Sequence, residues 1–220
     1  MSTIAQDLAR WARAGRTVVH EADAKALLTR AGIPVPLRNP LSGACAVKLC
    51  SDRHPHKTEH GLVKLNVSVS EAPQIGSELG EIVPDGIVLI EAMVDDGVAE
   101  WIIGCRHDPT FGPIVVIGVG GILVELVDEA TARLAPLDHE MARRAIESQR
   151  AVGLLRGLRG KRLGDLTALV DLVTTVSQFF AEHAAVIEQI EINPVIVRPD
   201  GLGAVAADAL IVLRSTLTHG

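Results

Sequence analysis

The sequence predicts an α+β fold, and three observations carry that reading. Segments of strand and helix character follow one another in mixed order, strands, then a pair of helices, then strands again, with no run of βαβ units. The apolar residues are overwhelmingly Val, Leu, Ile and Ala, with aromatics at only 2% and no tyrosine, a composition suited to buried sheets. Near its end the chain reads as a β-hairpin: the apolar runs Val195 to Val197 and Leu202 to Ala206 flank Arg198-Pro199-Asp200-Gly201.

Taken in order, Met1 to Arg16 is an amphipathic segment with scattered charges. Ala22 to Arg30 has helical spacing through Ala24, Leu27, Leu28 and Ala31; Gly32 stands at a C-cap position and Pro34 blocks continuation. Ala44 to Cys50 is a short strand carrying Lys48, and Gly61 to Val69 is another, with Leu65 and Val67 in alternation. Glu71 to Leu79 reads as a weak helix containing Pro73 and Gly76. Gly86 to Met93 and Val98 to Cys105 are strands, with Asp95-Asp96-Gly97 expected as a hairpin turn between them. Pro113 to Gly118 is an apolar strand running into Gly118-Val119-Gly120-Gly121. Asp138 to Leu155 is expected as one helix. Leu166 to Ala181 is a longer one with Asp165 as N-cap, and Val186 to Ile190 starts the last strands.

Bulk properties narrow the function. The 220 residues allow one large domain or two small lobes sharing a cleft. A hydrophobic content of 48% supports a real core, so disorder is excluded. Net charge is −6 with no basic tail or stripe, and no tyrosine is present to stack on bases, which argues against nucleic acid as a partner. No apolar run is long enough to span a bilayer, and the N-terminal segment lacks a signal-peptide core. Three cysteines, an odd number, suit a reducing cytoplasm better than a disulfide framework.

Five segments hold chemistry. The hairpin sets Asn193 beside Asp208, with Glu191 two residues away on the same face; an amide oxygen and two carboxylates are hard ligands of the kind Mg²⁺ takes while it holds nucleotide phosphates. Polar residues at the mouth of an ordinary hairpin would give the same pattern. Gly118-Val119-Gly120-Gly121 is neither a Walker A sequence nor a dinucleotide fingerprint, yet glycines after a strand let backbone N–H groups approach phosphates. Glu91-Ala92-Met93 ends a strand where edge backbone can hydrogen-bond adenine while Met93 packs on the ring; Met as core filler is the plainer alternative. Arg106 to Pro113 is an unusually polar stretch between apolar strands, either a shaped functional loop or a surface ion pair in a turn. Ser51 to His60 is wholly polar, with three histidines. With Cys45 and Cys50, the histidines His54, His56 and His60 offer enough ligands for zinc, but without paired Cys-x-x-Cys spacing. The other readings are a mobile loop with a nucleophilic imidazole that accepts a phosphoryl group, and a simple solvated loop.

In combination and in this order, these segments resemble the ATP-grasp domain of nucleoside-diphosphate-forming acyl-CoA synthetases, the β-subunit side of ADP-forming acetyl-CoA synthetase and a relative of the succinyl-CoA synthetase β subunit. The resemblance covers nearly the whole chain. It runs through Ala31-Gly32-Ile33-Pro34-Val35-Pro36, Ala46-Val47-Lys48-Leu49, His56-Lys57-Thr58-Glu59, Ala99 to Gly104, Asp108 to Pro113, Gly120-Gly121-Ile122 with Glu125, and Glu191-Ile192-Asn193-Pro194 with Asp208. It implies an ATP-grasp fold of two lobes clasping ATP or ADP, within one domain over residues 1–220. The N-terminal helices and turn would take about 1–46, a smaller covering lobe 47–91, and a larger metal- and phosphate-binding lobe 92–220. It implies that Lys48 contacts phosphates and that Glu91, Ala92 and Met93 hold the base through hinge backbone. Glu100, Arg106, Gly120 and Gly121 complete the nucleotide site. Asn193 and Asp208 bind Mg²⁺, Glu191 orients the phosphoryl-accepting histidine, and His56 is that acceptor on a mobile loop.

The sequence departs from the resembled pattern in the smaller lobe. Only Leu37 to Cys45 stands where a helix is expected before the lysine strand, the stretch from Val67 to Gly86 is short, and Gly61-Leu62 and Glu59 replace paired glycines and an aspartate. No dinucleotide-type module for CoA and no second phosphohistidine segment is present in the sequence. The resemblance therefore implies an acid–thiol ligase subunit that works with a CoA-binding α-type partner in a hetero-oligomer; the alternative is a regulatory nucleotide-binding subunit with little turnover.

Overall fold

Two antiparallel sheets organise the chain in the computed structural model, which describes residues 2–51, 60–121, 130–157, 160 and 162–215. Helix α1 (Ile4–Arg13) opens on a capping box between Thr3 and Gln6. After the two-residue strand β1 (Val18–Val19), helix α2 (Glu21–Arg30) ends as the sequence predicts: Gly32 takes a left-handed φ of 84° and the Ile33 N–H reaches back to the Leu28 carbonyl. No helix follows before the next strand; residues 33–43 are turns and extended chain.

The smaller sheet has the order β3-β2-β4, from β2 (Ala44–Cys50), β3 (Val63–Ser68) and β4 (Ile87–Ala92). Helix α3 (Ala72–Ile82) covers one face, packing Leu79 and Ala72 on Val47, Leu49 and Leu62. It lies close to β4: a Cβ on Gly76 would meet Val88 Cγ1 at 2.8 Å.

The larger sheet has the order β1-β10-β8-β5-β6-β7, with β9 also paired to β8. Its strands are β5 (Ala99–Asp108), β6 (Gly112–Val119), β7 (Ala130–Leu134), β8 (Ile187–Val197), β9 (Ala204–Ala206) and β10 (Ala209–Leu213), together with β1. One face is buried under α1, α2, α4 (His139–Glu147) and α5 (Leu166–His183), with Trp101 and Phe180 its largest fully buried side chains. Asp165 caps α5 as expected: one carboxylate oxygen accepts from Ala168 N and the other from Gly201 N and Gly203 N, fixing the β8–β9 turn to the helix. By alternation along β5, Glu100, Ile102, Gly104 and Arg106 share the face that no helix among the described residues covers, and Glu191, opposite Gly104, shares it too.

One irregularity interrupts this alternation. Trp101 pairs with Val195 but Ile103 with Ile192, so Asn193 and Pro194 together face Ile102, a β-bulge. The other neighbour of β8 carries a matching break. Val195 pairs with Ala206 and Ile192 with Ala209, and Ala207 and Asp208 fill the gap. Both strands change phase there, so Ile190, Ile192, Val195 and Val197 all reach the core while Asn193 is exposed.

The structure corrects the sequence reading in four places. Asp95-Asp96-Gly97 does not close a hairpin: β4 pairs with β2 and β5 with β6 and β8, so this segment crosses between sheets. Asp96 is pinned there by a bidentate pair with Arg198 at 2.8 and 2.7 Å. The helix expected over Asp138 to Leu155 stops at Glu147 and resumes as a 3₁₀ turn, Arg150–Leu154. Between them, buried Gln149 turns its amide to the Ile117 carbonyl. The polar stretch from Arg106 to Pro113 is strand on both sides of a tight tip, where the Asp108 carboxylate accepts from Thr110 N and Phe111 N. Strands β1 and β7 have no counterpart in the sequence reading, because one is two residues long and the other is largely exposed. No helix among the described residues is long and apolar enough to cross a membrane.

Candidate functional site

A cavity of about 230 Å³ opens between the two sheets. Val63 and Leu65 wall it from the smaller sheet, Met93 and Val94 from the crossover, and Ile196 from the larger sheet; Lys48, Glu91, Glu100 and Asp208 supply its polar groups. Apolar walls with a few convergent polar groups are the usual form of a small-molecule site.

The depth of the cavity holds a buried ionic network. Lys48 lies on β2 with its side chain inward, donating to Glu21 Oε1 at 2.5 Å and to the Ala207 carbonyl at 2.7 Å, and standing 3.3 Å from Glu91 Oε2. Lys25, one turn along α2 from Glu21, donates to Glu91 Oε2 at 2.5 Å and to the same Ala207 carbonyl at 2.7 Å, with Glu21 Oε1 at 2.7 Å. All four side chains are buried. Burial alone would lower the Lys48 ammonium, but the charges of Glu21, Asp208 and Glu91 outweigh it and raise it above the ordinary lysine range. Lys48 is therefore a fixed cation at neutral pH.

Of the residues singled out in sequence, Lys48, Glu91, Ala92, Met93, Glu100 and Asp208 line this cavity. The hinge differs from expectation in its donors: Ala92 N bonds the Leu37 carbonyl and Met93 N the Ala44 carbonyl, so neither N–H faces a base. Val94, the next residue, also lies on the wall. Gly120 likewise spends its N–H on the Glu100 carbonyl at 2.7 Å, which corrects its expected role as a phosphate donor. These glycines instead allow close approach. A Cβ on Gly120 would stand 3.1 Å from Trp101 backbone, and one on Gly121, at φ 68°, would stand 2.6 Å from Glu100 Oε2.

Asn193 and Asp208 come to the same level of adjacent strands, in the matched breaks of β8 and of the β9–β10 segment. Asp208 is half-buried and Asn193 exposed. Among the described residues, no three or more His, Cys, Asp or Glu side chains gather to hold a metal. An amide oxygen and a carboxylate nonetheless fit Mg²⁺, which uses few protein ligands and completes its shell with phosphate oxygens and water. Glu191 is half-buried on the uncovered face, and Arg106 is exposed on that face, six positions along β5 from Glu100 and outside the cavity. His54, His56 and Glu125 lie outside the described residues. The cysteines of the zinc reading are both buried in β2.

Sequence reasoning missed Glu21, Lys25 and the Ala207 carbonyl. The spacing of Glu21 and Lys25 in α2 signals only a helical i, i+4 pair.

A model of the ATP-grasp domain matches residues 10–213. The chain is 34% identical over 221 residues to the ADP-forming acetate–CoA ligase II subunit beta of Pyrococcus furiosus, covering 91% of this chain and 93% of that one. It is 34% identical over 166 residues to ADP-forming acetate–CoA ligase I of Archaeoglobus fulgidus, but spans only 24% of that protein's length. The fold superposes with a TM-score of 0.82, at 31% identity and covering 96% of this chain and all of the other, on acetyl-coenzyme A synthetase 1 of Ca. Korarchaeum cryptofilum. That structure contains coenzyme A and Mg-AMPPCP, with its phosphohistidine segment pointing towards the nucleotide-binding site.

Proposed function

The chain belongs to the ATP-grasp family, and from that premise we propose that it is the ATP-binding, β-type subunit of an ADP-forming acyl-CoA synthetase, an acid–thiol ligase. The observation that supports this most is the cavity between the sheets, with Lys48 on one side and Asp208 on the other. The smaller and larger sheets act as the two lobes that clasp the nucleotide.

The base lies against Val63, Leu65, Met93 and Ile196, with the crossover at Val94 offering its edge contact. Lys48 takes phosphate oxygens; Asn193 and Asp208 hold Mg²⁺, which neutralises phosphate charge when bound. The protein's part in phosphoryl transfer is then positioning and charge compensation in a site sheltered between two sheets. His56 is the phosphoryl carrier, oriented on arrival by Glu191, which stands on the uncovered face beside side-chain-free Gly104. Arg106 stands further along that face, outside the cavity. The partner is a CoA-binding α-type subunit that supplies the acyl chemistry, in a reducing cytoplasm that suits three cysteines without a disulfide.

The test is labelling from γ-labelled ATP with Mg²⁺. The wild-type chain takes an acid-labile, base-stable label, and acyl-CoA forms only once the α-type subunit is added. Asp208→Ala loses both Mg²⁺-dependent nucleotide binding, read by calorimetry, and the label. His56→Ala binds nucleotide but takes no label, whereas His54→Ala keeps it. Unchanged Mg·ATP affinity in Asp208→Ala removes the metal assignment, and label that persists without His56 removes the carrier.

A further inference from the structure

We propose that Lys25 is a positioning residue that frees Lys48 to engage nucleotide phosphate, an inference that rests on the nucleotide-binding reading above. Both ammonium groups contact the same three acceptors: Glu21 Oε1, Glu91 Oε2 and the Ala207 carbonyl. A lysine has three N–H donors; Lys48 gives one to Glu21 and one to the Ala207 carbonyl, and meets Glu91 only as a charge contact. A phosphate oxygen gains Lys48 most readily at the expense of the loosest of these contacts.

The distances say which. The contact from Lys48 to Glu91 is its longest, 3.3 Å, while Lys25 holds the same oxygen at 2.5 Å. Glu21, closest to Lys48, also has Lys25 at 2.7 Å. Lys48 can therefore turn towards the cavity without leaving either carboxylate buried beside no cation, a situation that is strongly unfavourable. Lys48 is on the cavity wall and Lys25 is behind it, 3% exposed and absent from the lining. The roles are thus fixed by position: one lysine is delivered and the other stays as resident counter-ion. Lys25 also keeps the Ala207 carbonyl bonded, so the turn that presents Asp208 is held while Lys48 moves.

If Lys25 merely supports the fold, its loss weakens all ligands alike. If it releases Lys48, its loss acts on phosphate alone, because Glu21 and Glu91 then both hold Lys48 more tightly. The experiment titrates the full chain with Mg·ADP and with adenosine, which has no phosphate, and follows melting of the same variants without ligand. Lys25→Met weakens Mg·ADP about 100-fold and leaves adenosine unchanged. Adding Glu21→Gln to Lys25→Met removes one competing carboxylate and returns most of the Mg·ADP affinity and of the melting temperature. Equal losses for adenosine and Mg·ADP, or additive losses in the double variant, overturn the proposal. If the melting temperatures recover but the wild-type chain binds neither Mg·ADP nor adenosine, the shared network stands, and it is the nucleotide reading that fails, taking the release step with it.

Discussion

Among the described residues, the seven-stranded sheet has four helices packed behind it and a core that runs from Leu8 to Leu213; the three-stranded sheet has α3 over a much smaller cluster centred on Val47, Leu49 and Leu79, with Ala22 of α2 against Cys50 and Leu89. The groups that need exact placement, Asn193, Asp208 and Glu191, all stand on the larger sheet. The smaller sheet contributes Lys48 and apolar cover, and α2 joins it to the larger core through two ion pairs, Lys48 to Glu21 and Glu91 to Lys25, and a small apolar contact of Ala22 with Cys50 and Leu89. A three-stranded sheet with one helix is near the lower limit of independent stability. The division teaches that the larger core is concentrated behind Asn193, Asp208 and Glu191, while the smaller sheet is held to it chiefly by α2 and its buried ion pairs.

Three substitutions break or sharpen that contrast. Trp101→Ala empties the centre of the larger core and should destabilise the whole chain by about 3–5 kcal/mol, read as an early, single melting transition. Leu79→Ala should cost about 2–3 kcal/mol. Its loss should fall on the smaller sheet: amide exchange in β2, β3 and β4 should accelerate while β5 and β8 keep their protection. Uniform acceleration across both sheets would show one cooperative core and end the contrast. The smallest effect belongs to the crossover. Its ion pair with Arg198, chiefly the hydrogen bonds, holds the Asp96 carboxyl below the usual aspartate range. A carboxyl lowered by folding stabilises fully above its unfolded value, and the gain is lost as pH falls through its folded value. Asp96→Asn should therefore cost up to about 1 kcal/mol at neutral pH, the pair being part-exposed. The difference from wild type should shrink in acid, below the ordinary aspartate value of 3.8.

The sequence was readable wherever the signal is local. Strand β2 runs from Ala44 to Cys50 as expected, the cap of α5 is Asp165, and the Pro-Asp-Gly turn does close β8 on β9. The alignment of Asn193 with Asp208 follows from that turn, because antiparallel register propagates from a hairpin tip. Reading failed where distant chain decides. Asp95-Asp96-Gly97 has turn chemistry, but whether the flanking strands pair is set by β2 on one side and β6 and β8 on the other. Glu21 and Lys25 look like a solvated helix pair. Their burial comes from Glu91 and Ala207, 66 and 182 residues from Lys25. Of the glycines that suggested a phosphate cradle, Gly120 gives its N–H to the Glu100 carbonyl and lies against Trp101 backbone.

The paired breaks at Asn193-Pro194 and Ala207-Asp208 have a further consequence for how this chain can change in length. Two adjacent strands each carry one residue more than β5 beside them, and the two extra residues lie side by side. Deleting one residue from either strand alone would restore regular alternation within that strand but leave one residue there opposite two on the other, a new bulge between β8 and the β9–β10 segment. Deleting one from each would bring all three strands back into a common phase and leave a smooth sheet without the gap in which Asn193 and Asp208 lie. The matched insertions keep β8 and the β9–β10 segment paired residue for residue, so a change in the length of one calls for the same change in the other.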